Sequence, residues 1–375
     1  MSSAQTYKIA IVGSGPGGLS AACRAAEMGD SHILLEAQPH LSNTIFRYQK
    51  GKHVMAEPNV LPLRAATRFE AGTREKILGE WNDDVAQRKA NIRHRAEVVK
   101  IEKLDDPGEA RFRLSLQSGE QLLAEKVVLG IGVQGNPRKM GVPGEDLPNI
   151  QYQLDDPDEY KGETIVVVGA GDAAIENAVA LAKQNTVHIV NRKGEFSRAK
   201  DGNNALILSA IEQGKVRCHY NSAPETIEAL PAGHPSGKPM LLKLNSKEGT
   251  VEVAVDRIIA RLGATPQREF VEACGIQFPN KDPAAIPQVS PTYESNVPGL
   301  YIIGALAGYP LIKQAMNQGY EVVEFICKRP VKPADEPILR EKFAAFSKDP
   351  DVEAFLDVLK EIVASVNGRI ELRTG

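Results

Sequence analysis

Two short glycine-rich runs carry the chemistry this sequence offers: Gly13-Ser14-Gly15-Pro16-Gly17-Gly18 near the start, and Gly169-Ala170-Gly171-Asp172-Ala173-Ala174 near the middle. In this spacing the first glycine permits a tight turn and the second lets backbone N–H groups approach a pyrophosphate. The third position needs only a small side chain where helix meets strand, and the helix N-terminus supplies partial positive charge to the phosphates. The pattern carries weight only between a strand and a helix. Both copies have that setting, because the β-branched apolar runs 9–12 and 165–168 precede them and alanine-rich helical segments follow. Two nucleotides held by one chain suit redox chemistry between two cofactors.

The strand that follows each fingerprint separates the two sites. Glu36 closes the strand 32–36, 23 positions after Gly13, where a carboxylate accepts hydrogen bonds from an adenosine ribose. Asn191 stands 22 positions after Gly169, but there the strand 187–190 runs into Asn191, Arg192 and Lys193, with Arg198 close behind. Cations in place of the acid suit a ribose 2′-phosphate, so this site reads as one for NADPH rather than NADH. A solvated surface cluster is the competing reading of the same three cations.

With these landmarks in order, the chain resembles the two-dinucleotide-binding-domain flavoproteins, in their thioredoxin-reductase-like branch, over roughly residues 7–328. The stretch from Lys126 through Gly132 to Gly141 and Glu145 is similar to the strand and loop that close the first FAD segment. Residues 191–198 resemble the basic signature of the NADPH domain, and 297–304 resemble the strand that returns to the FAD domain. The resemblance implies an FAD site at Gly13, Gly15, Pro16, Gly17, Gly18, Glu36 and Gly132, completed by Gly304, Ala305, Gln314 and Ala315. It implies an NADPH site at Gly169, Gly171, Asp172, Ala173, Asn191, Arg192, Lys193 and Arg198. The helix beginning near Lys313 and Gln314 is expected to turn its N-terminus to the flavin N1–C2=O edge, where its dipole favours negative charge.

Two departures limit what carries over. The redox-active Cys-x-x-Cys that thioredoxin reductases place before the second fingerprint is absent, and the stretch 150–160 holds no cysteine. Of the four cysteines, Cys23, Cys218, Cys274 and Cys327, the nearest pair stands 53 positions apart, so the usual dithiol relay to thioredoxin is excluded and reduced cytosolic thiols are expected. The second departure is Ala305, where the family usually has an aspartate that holds the ribityl chain.

The elements that must position these residues give an α/β fold: two Rossmann-like FAD/NAD(P)-binding domains, the NADPH domain inserted into a discontinuous FAD domain, plus a helical C-terminal tail. The expected boundaries are 1–136 and 263–330 for FAD, 137–262 for NAD(P)H, and 331–375 for a proline-rich linker and tail whose apolar residues recur at helical spacing from Val352 to Val366. A length of 375 residues agrees with about two domains. The pattern predicts a helix over 73–89, strands at 97–104 and 111–116, a helix over 203–213, and strands at 216–220, 240–244, 251–255 and 257–262. After Glu36 an insertion without clean periodicity includes Tyr48 and His53; loops of this length are often functional, and these two residues are open between bordering the flavin and ordinary loop roles.

A net charge of −3 argues against a general nucleic-acid surface. No apolar run reaches the ~18 residues of a membrane span, and no signal-peptide core precedes the first strand, so a cytoplasmic protein is expected. The seven histidines show no zinc spacing. The expected activity is transfer of hydride from NADPH to FAD and of electrons onward to a ferredoxin-like iron–sulfur protein, in a homodimer, with the cofactors rather than a protein acid or base carrying the chemistry. A low-molecular-weight disulfide reductase is the nearest alternative, although the first-fingerprint cysteine of bacillithiol-disulfide-reductase-like proteins is Gly17 here. A redox-sensing regulatory flavoprotein is the other.

Overall fold

The structure, a computed structural model, describes residues 6–105, 111–133, 135–247 and 249–335. The expected tail helix therefore lies outside the described residues. The chain begins with strand β1 (Thr6–Val12), helix α1 (Pro16–Glu27) and strand β2 (His32–Leu35), the first fingerprint forming the β1–α1 turn. A short helix α2 (Asn43–Phe46) and a two-residue ladder, β3 (His53–Val54) on β4 (Gly72–Thr73), bracket the insertion. Helix α3 (Arg74–Arg88) follows. Thr73 caps its start by accepting from the N–H of Lys76 at 3.3 Å, and Lys89 ends it in the left-handed region at φ 52°. Next come β5 (Ile92–Arg93) and the meander β6 (Val98–Lys103), β7 (Phe112–Leu116) and β8 (Gln121–Leu129).

The middle of the chain holds β9 (Ile150–Gln151), β10 (Thr164–Val168), α4 (Asp172–Leu181), β11 (Thr186–Val190), α5 (Asp201–Glu212) and β12 (Val216–His219). The second fingerprint is the β10–α4 turn. An antiparallel meander, β13 (Ser222–Ala229), β14 (Met240–Ser246) and β15 (Gly249–Val255), leads to β16 (Arg257–Ala260). The parallel sheet here runs β12-β11-β10-β16-β9. Its strands are apolar on both faces because both faces are covered. Alternate residues of β10 divide the work: Ile165 and Val167 pack on Ala174, Ile175, Ala178 and Leu181 of α4, while Val166 and Val168 pack with Met240, Leu242 and Leu244 of the meander.

The chain then returns through α6 (Arg268–Ala273), β17 (Leu300–Ile302) and α7 (Ile312–Ile326). The first sheet runs β5-β2-β1-β8-β7-β6, with β17 also beside β8. Strand β8 is long enough to serve two partners along one edge, pairing its first half with β7 and residues 127–129 with β17. The described residues form two compact units: one comprises those of 6–46, 53–135 and 266–335, and the other those of 47–52 and 136–265. The segment 47–52 of the insertion thus belongs with the second unit. Among the described residues no helix is long and apolar enough to cross a membrane.

Candidate nucleotide sites

In the first unit the turn after β1 is closed by contacts that admit no side chain. Gly13 has φ +96°, and a Cβ there would lie 2.8 Å from the Gly130 carbonyl; a Cβ on Gly18 would lie 1.9 Å from the Gly13 carbonyl. Gly15 is the N-cap of α1 and Pro16 its first residue, and no side chain caps the helix. The N–H groups of its first turn are therefore left for a ligand. Glu36 is buried and accepts from the Ser14 N–H at 2.9 Å, the Ser14 hydroxyl at 2.5 Å and the Gln38 N–H at 2.8 Å. Three of the roughly four acceptor directions of a carboxylate are thereby taken, which fixes its orientation and leaves one for an incoming hydroxyl.

Helix α7 packs against this turn at backbone distance. A Cβ on Gly17 would lie 2.9 Å from the Ala315 carbonyl, and one on Gly319 would lie 2.0 Å from the Gly17 carbonyl. The Ser20 hydroxyl donates to the Met316 carbonyl at 2.7 Å. Gly304, at φ +70°, opens a 3-10 turn that includes Ala305, and its N–H donates to Gln318 Oε1 at 2.7 Å. Gln314 and Ala315 lie in the first turn of α7, whose N-cap Leu311 offers no capping side chain. Gly132 follows β8 at φ +62°. The structure thus brings Gly13, Gly15, Pro16, Gly17, Gly18, Gly304, Ala305, Gln314 and Ala315 around one crossing of α1 and α7, with Glu36 at the neighbouring strand end.

Sequence reasoning missed how α7 is held. Its residues at four-residue spacing clamp the loop 57–64: the Lys313 ammonium donates to the Pro58 carbonyl at 2.9 Å, the Asn317 amide donates to the Pro62 carbonyl at 2.9 Å, and its oxygen accepts from the Arg64 N–H at 2.7 Å. Glu321 continues that face, accepting from the Tyr293 hydroxyl at 2.5 Å and the Ala334 N–H at 2.7 Å, and burial pushes its carboxyl above the usual range. The i, i+4, i+8 spacing was the available signal.

In the second unit Gly169 has φ +133°, and a Cβ there would lie 2.4 Å from the Arg261 carbonyl; Gly171, the N-cap of α4, faces open space. Ala173 lies in the first turn of α4, and Asp172 turns towards α5, accepting from the Lys200 N–H at 3.0 Å and the Asn203 amide at 2.8 Å. Asn191 is buried and used within its own turn: its oxygen accepts from the Lys193 N–H at 3.0 Å and its amide donates to the Glu195 carbonyl at 2.9 Å. It shapes the loop that presents the cations. Arg192, Lys193 and Arg198 are exposed, and none has a carboxylate within ion-pair distance among the described residues; the Lys193 ammonium meets only the Ser197 hydroxyl at 3.1 Å.

The other sequence candidates fall elsewhere. Tyr48 belongs to the second unit, with the Lys52 ammonium 4.8 Å over its ring, while His53 is exposed on β3. All four cysteines are free. Cys23, inside α1, is 0% exposed, and burial pushes its thiol up to about 12, so it offers no thiolate to a disulfide at neutral pH. Among the described residues no group of three or more His, Cys, Asp and Glu side chains is placed to hold a metal ion.

Two Rossmann units, each with a glycine turn and a charged strand end, define an oxidoreductase that works with two nucleotides. The profile of the pyridine nucleotide-disulphide oxidoreductase family matches residues 10–304, and the chain belongs to that family. It is 29% identical over 317 residues to a ferredoxin–NADP reductase of Ignicoccus hospitalis, covering 83% of this chain and 93% of that one. It is 27% identical over 309 residues to ferredoxin–NADP reductase 1 of Lysinibacillus sphaericus, covering 80% and 82%. Among solved structures its fold is similar to the bacillithiol disulfide reductase of Staphylococcus aureus, at TM-score 0.75 and 19% identity, covering 87% of this chain and 100% of that one.

Proposed function

We propose that this protein is an FAD-dependent oxidoreductase that accepts hydride from NADPH and passes electrons to a ferredoxin-like iron–sulfur protein. The observation that carries the reading is the inequality of the two strand ends. One presents a single oriented carboxylate at Glu36 to a ribose, and the other presents Arg192, Lys193 and Arg198 without counter-ions to a 2′-phosphate. What supports FAD in the first unit is a glycine turn that backbone contacts at Gly13, Gly17 and Gly18 hold close to α7, beside two uncapped helix N-termini. FAD bound there supplies the chemistry that takes up a hydride and releases electrons one at a time.

The residues of the chain do the rest. The first turn of α1 would meet the pyrophosphate, and Glu36 would hold the adenosine ribose. The N-terminal turn of α7 would place its helix dipole towards a bound flavin, favouring negative charge there. Ala305 leaves the ribityl chain without the family's carboxylate. The four cysteines include no Cys-x-x-Cys, and the buried Cys23 provides no substitute, so the second half-reaction uses an acceptor that needs no thiol relay. The curated relatives named ferredoxin–NADP reductases support an iron–sulfur acceptor. A homodimer in a reducing, cytoplasmic compartment belongs to the same reading, supported by the four free cysteines for the compartment.

The test is an anaerobic titration of the purified flavoprotein with NADPH and separately with NADH, followed by flavin absorbance, and then addition of an oxidised ferredoxin. NADPH bleaches the flavin at far lower concentration than NADH, and ferredoxin restores the oxidised spectrum while becoming reduced. Flavin that bleaches but delivers nothing to iron–sulfur proteins refutes the acceptor.

A further inference from the structure

Arg261 stands at the carboxyl end of β16, beside the second glycine turn. Its N–H donates to the Val168 carbonyl at 2.7 Å, and its own carbonyl occupies the space that the missing side chain of Gly169 leaves. Strands β10 and β16 are neighbours at the place where the sheet order reverses, since the chain leaves β10 towards β11 on one side while β16 lies on the other. In open parallel sheets a nucleotide binds outside the carboxyl ends at such a reversal. The cations at 192–198 mark the β11 side as the adenosine end. A dinucleotide laid from there across the glycine turn reaches β16 with its nicotinamide half.

Arg261 has no ion-pair partner of its own among the described residues. Its guanidinium makes one hydrogen bond, from Nη1 to the Tyr152 carbonyl at 2.8 Å, and its buried Nε has no partner. Two carboxylates act on it from nearby, but both are engaged: Glu176 with the Lys52 ammonium at 2.6 Å, and Asp155 with Arg47 at 3.9 Å. No carboxylate lies within ion-pair distance of Arg261 among the described residues. Burial lowers its affinity for its proton, the mark of a cation poorly compensated by its surroundings. A partly buried cation that spends Nη1 on the Tyr152 carbonyl and keeps an unpartnered Nε, at the edge of a phosphate-binding turn, is suited to an anion.

We propose that Arg261 binds the nicotinamide-side phosphate of the NADPH pyrophosphate, a contact distinct from the 2′-phosphate cluster. This rests on the second unit being the nicotinamide-nucleotide site. The experiment is calorimetric titration of the flavin-loaded Arg261→Gln and Arg261→Lys proteins with NADP+, NAD+ and adenosine 2′,5′-diphosphate, which lacks the nicotinamide-side phosphate. Arg261→Gln weakens NADP+ and NAD+ by the same factor, about ten- to a hundredfold, and leaves adenosine 2′,5′-diphosphate unchanged. Arg261→Lys, which keeps the charge and loses the fork, falls between and serves if the glutamine variant does not fold. Unchanged NADP+ affinity overturns the proposal, and so does equal weakening of all three ligands, which marks a structural role. Arg192→Gln with Lys193→Gln reads the site independently, because loss of the NADP+ over NAD+ preference belongs to those residues alone.

Discussion

Gly319 and Gly79 are both interior glycines of 15-residue helices, yet the same change to alanine has opposite consequences. A Cβ on Gly79, in α3, meets nothing within 4 Å, so Gly79→Ala gains the ordinary helix-propensity difference, about 1 kcal/mol. A Cβ on Gly319, in α7, would lie 2.0 Å from the Gly17 carbonyl, 2.9 Å from its carbon and 3.0 Å from the Ala21 nitrogen, all of them backbone atoms. No flexible side chain can yield there. Helix α7 must retreat from α1 by roughly 1 Å to restore an ordinary contact, and overpacking of this kind costs about 1–3 kcal/mol. With the propensity gain set against it and a rigid obstacle placing the cost at the upper end, Gly319→Ala is destabilised by about 1–2 kcal/mol. The retreat also moves the first turn of α7 away from the glycine turn of α1, so FAD affinity falls with it. Urea denaturation of the apoprotein gives the stability difference, and flavin fluorescence quenching gives the dissociation constant. A Gly319→Ala protein at least as stable as Gly79→Ala, with wild-type FAD affinity, refutes the backbone-contact argument.

Removing charge from the 2′-phosphate cluster with Arg192→Gln and Lys193→Gln weakens NADPH about tenfold or more while NADH changes little, and the difference shrinks in high salt; equal effects on both nucleotides in steady-state kinetics refute the assignment. Cys23→Ala leaves NADPH-driven flavin reduction and any disulfide turnover at their starting rates, because the buried thiol, pushed up to about 12, takes no part; loss of disulfide reduction alone refutes this. His188 is hydrogen-bonded to His219 at 2.9 Å, and burial, with the charges of His219 and Arg217, lowers it from 6.5 to about 4. The unfolded chain therefore binds a proton that the folded chain refuses in this window, so stability is full above about 6.5 and falls as pH drops towards about 4. His188→Asn flattens that slope in urea melts across pH, and an unchanged slope sinks the explanation.

What was legible in the sequence is what is decided locally. The turn at Gly13, the helix begun by Pro16 and the acid at Glu36 lie within one strand-turn-helix-strand passage, and so do Gly169 and the cations of 192–198. Helix α3 was readable to within a residue because Thr73 and Lys89 mark its ends. Strand β13 was not, since Pro224 interrupts it and its pairing shifts between Pro224 and Thr226. Asn191 was read as a ligand, and the sequence did not show that its short side chain is also bonded within its own turn, a local use common to asparagine. Arg261 looked like the interior of a strand over 257–262, whereas the strand ends at Ala260 and the hydrogen bond of its guanidinium goes to Tyr152, 109 positions away. The association of 47–52 with the second unit and the clamp from α7 onto 58–64 are likewise long-range: the i, i+4, i+8 spacing of Lys313, Asn317 and Glu321 marks one face of the helix but not the loop that it holds.

The pairing of β17 with β8 has a consequence for the order of folding. Strands β1, β2 and β8 leave the ribosome early, yet the edge of β8 at 127–129 waits for residues 300–302, and the Ser20 hydroxyl waits for a carbonyl 296 positions later. Residues 136–265, with their parallel sheet and meander, are complete before either arrives. Contacts that span most of a chain form slowly, and an open sheet edge is exposed to mispairing until they do. Synthesis therefore finishes residues 136–265 of the second unit first and leaves the first unit open until its last strand and helix emerge, so the packing of α1 on α7 comes into being only at the end.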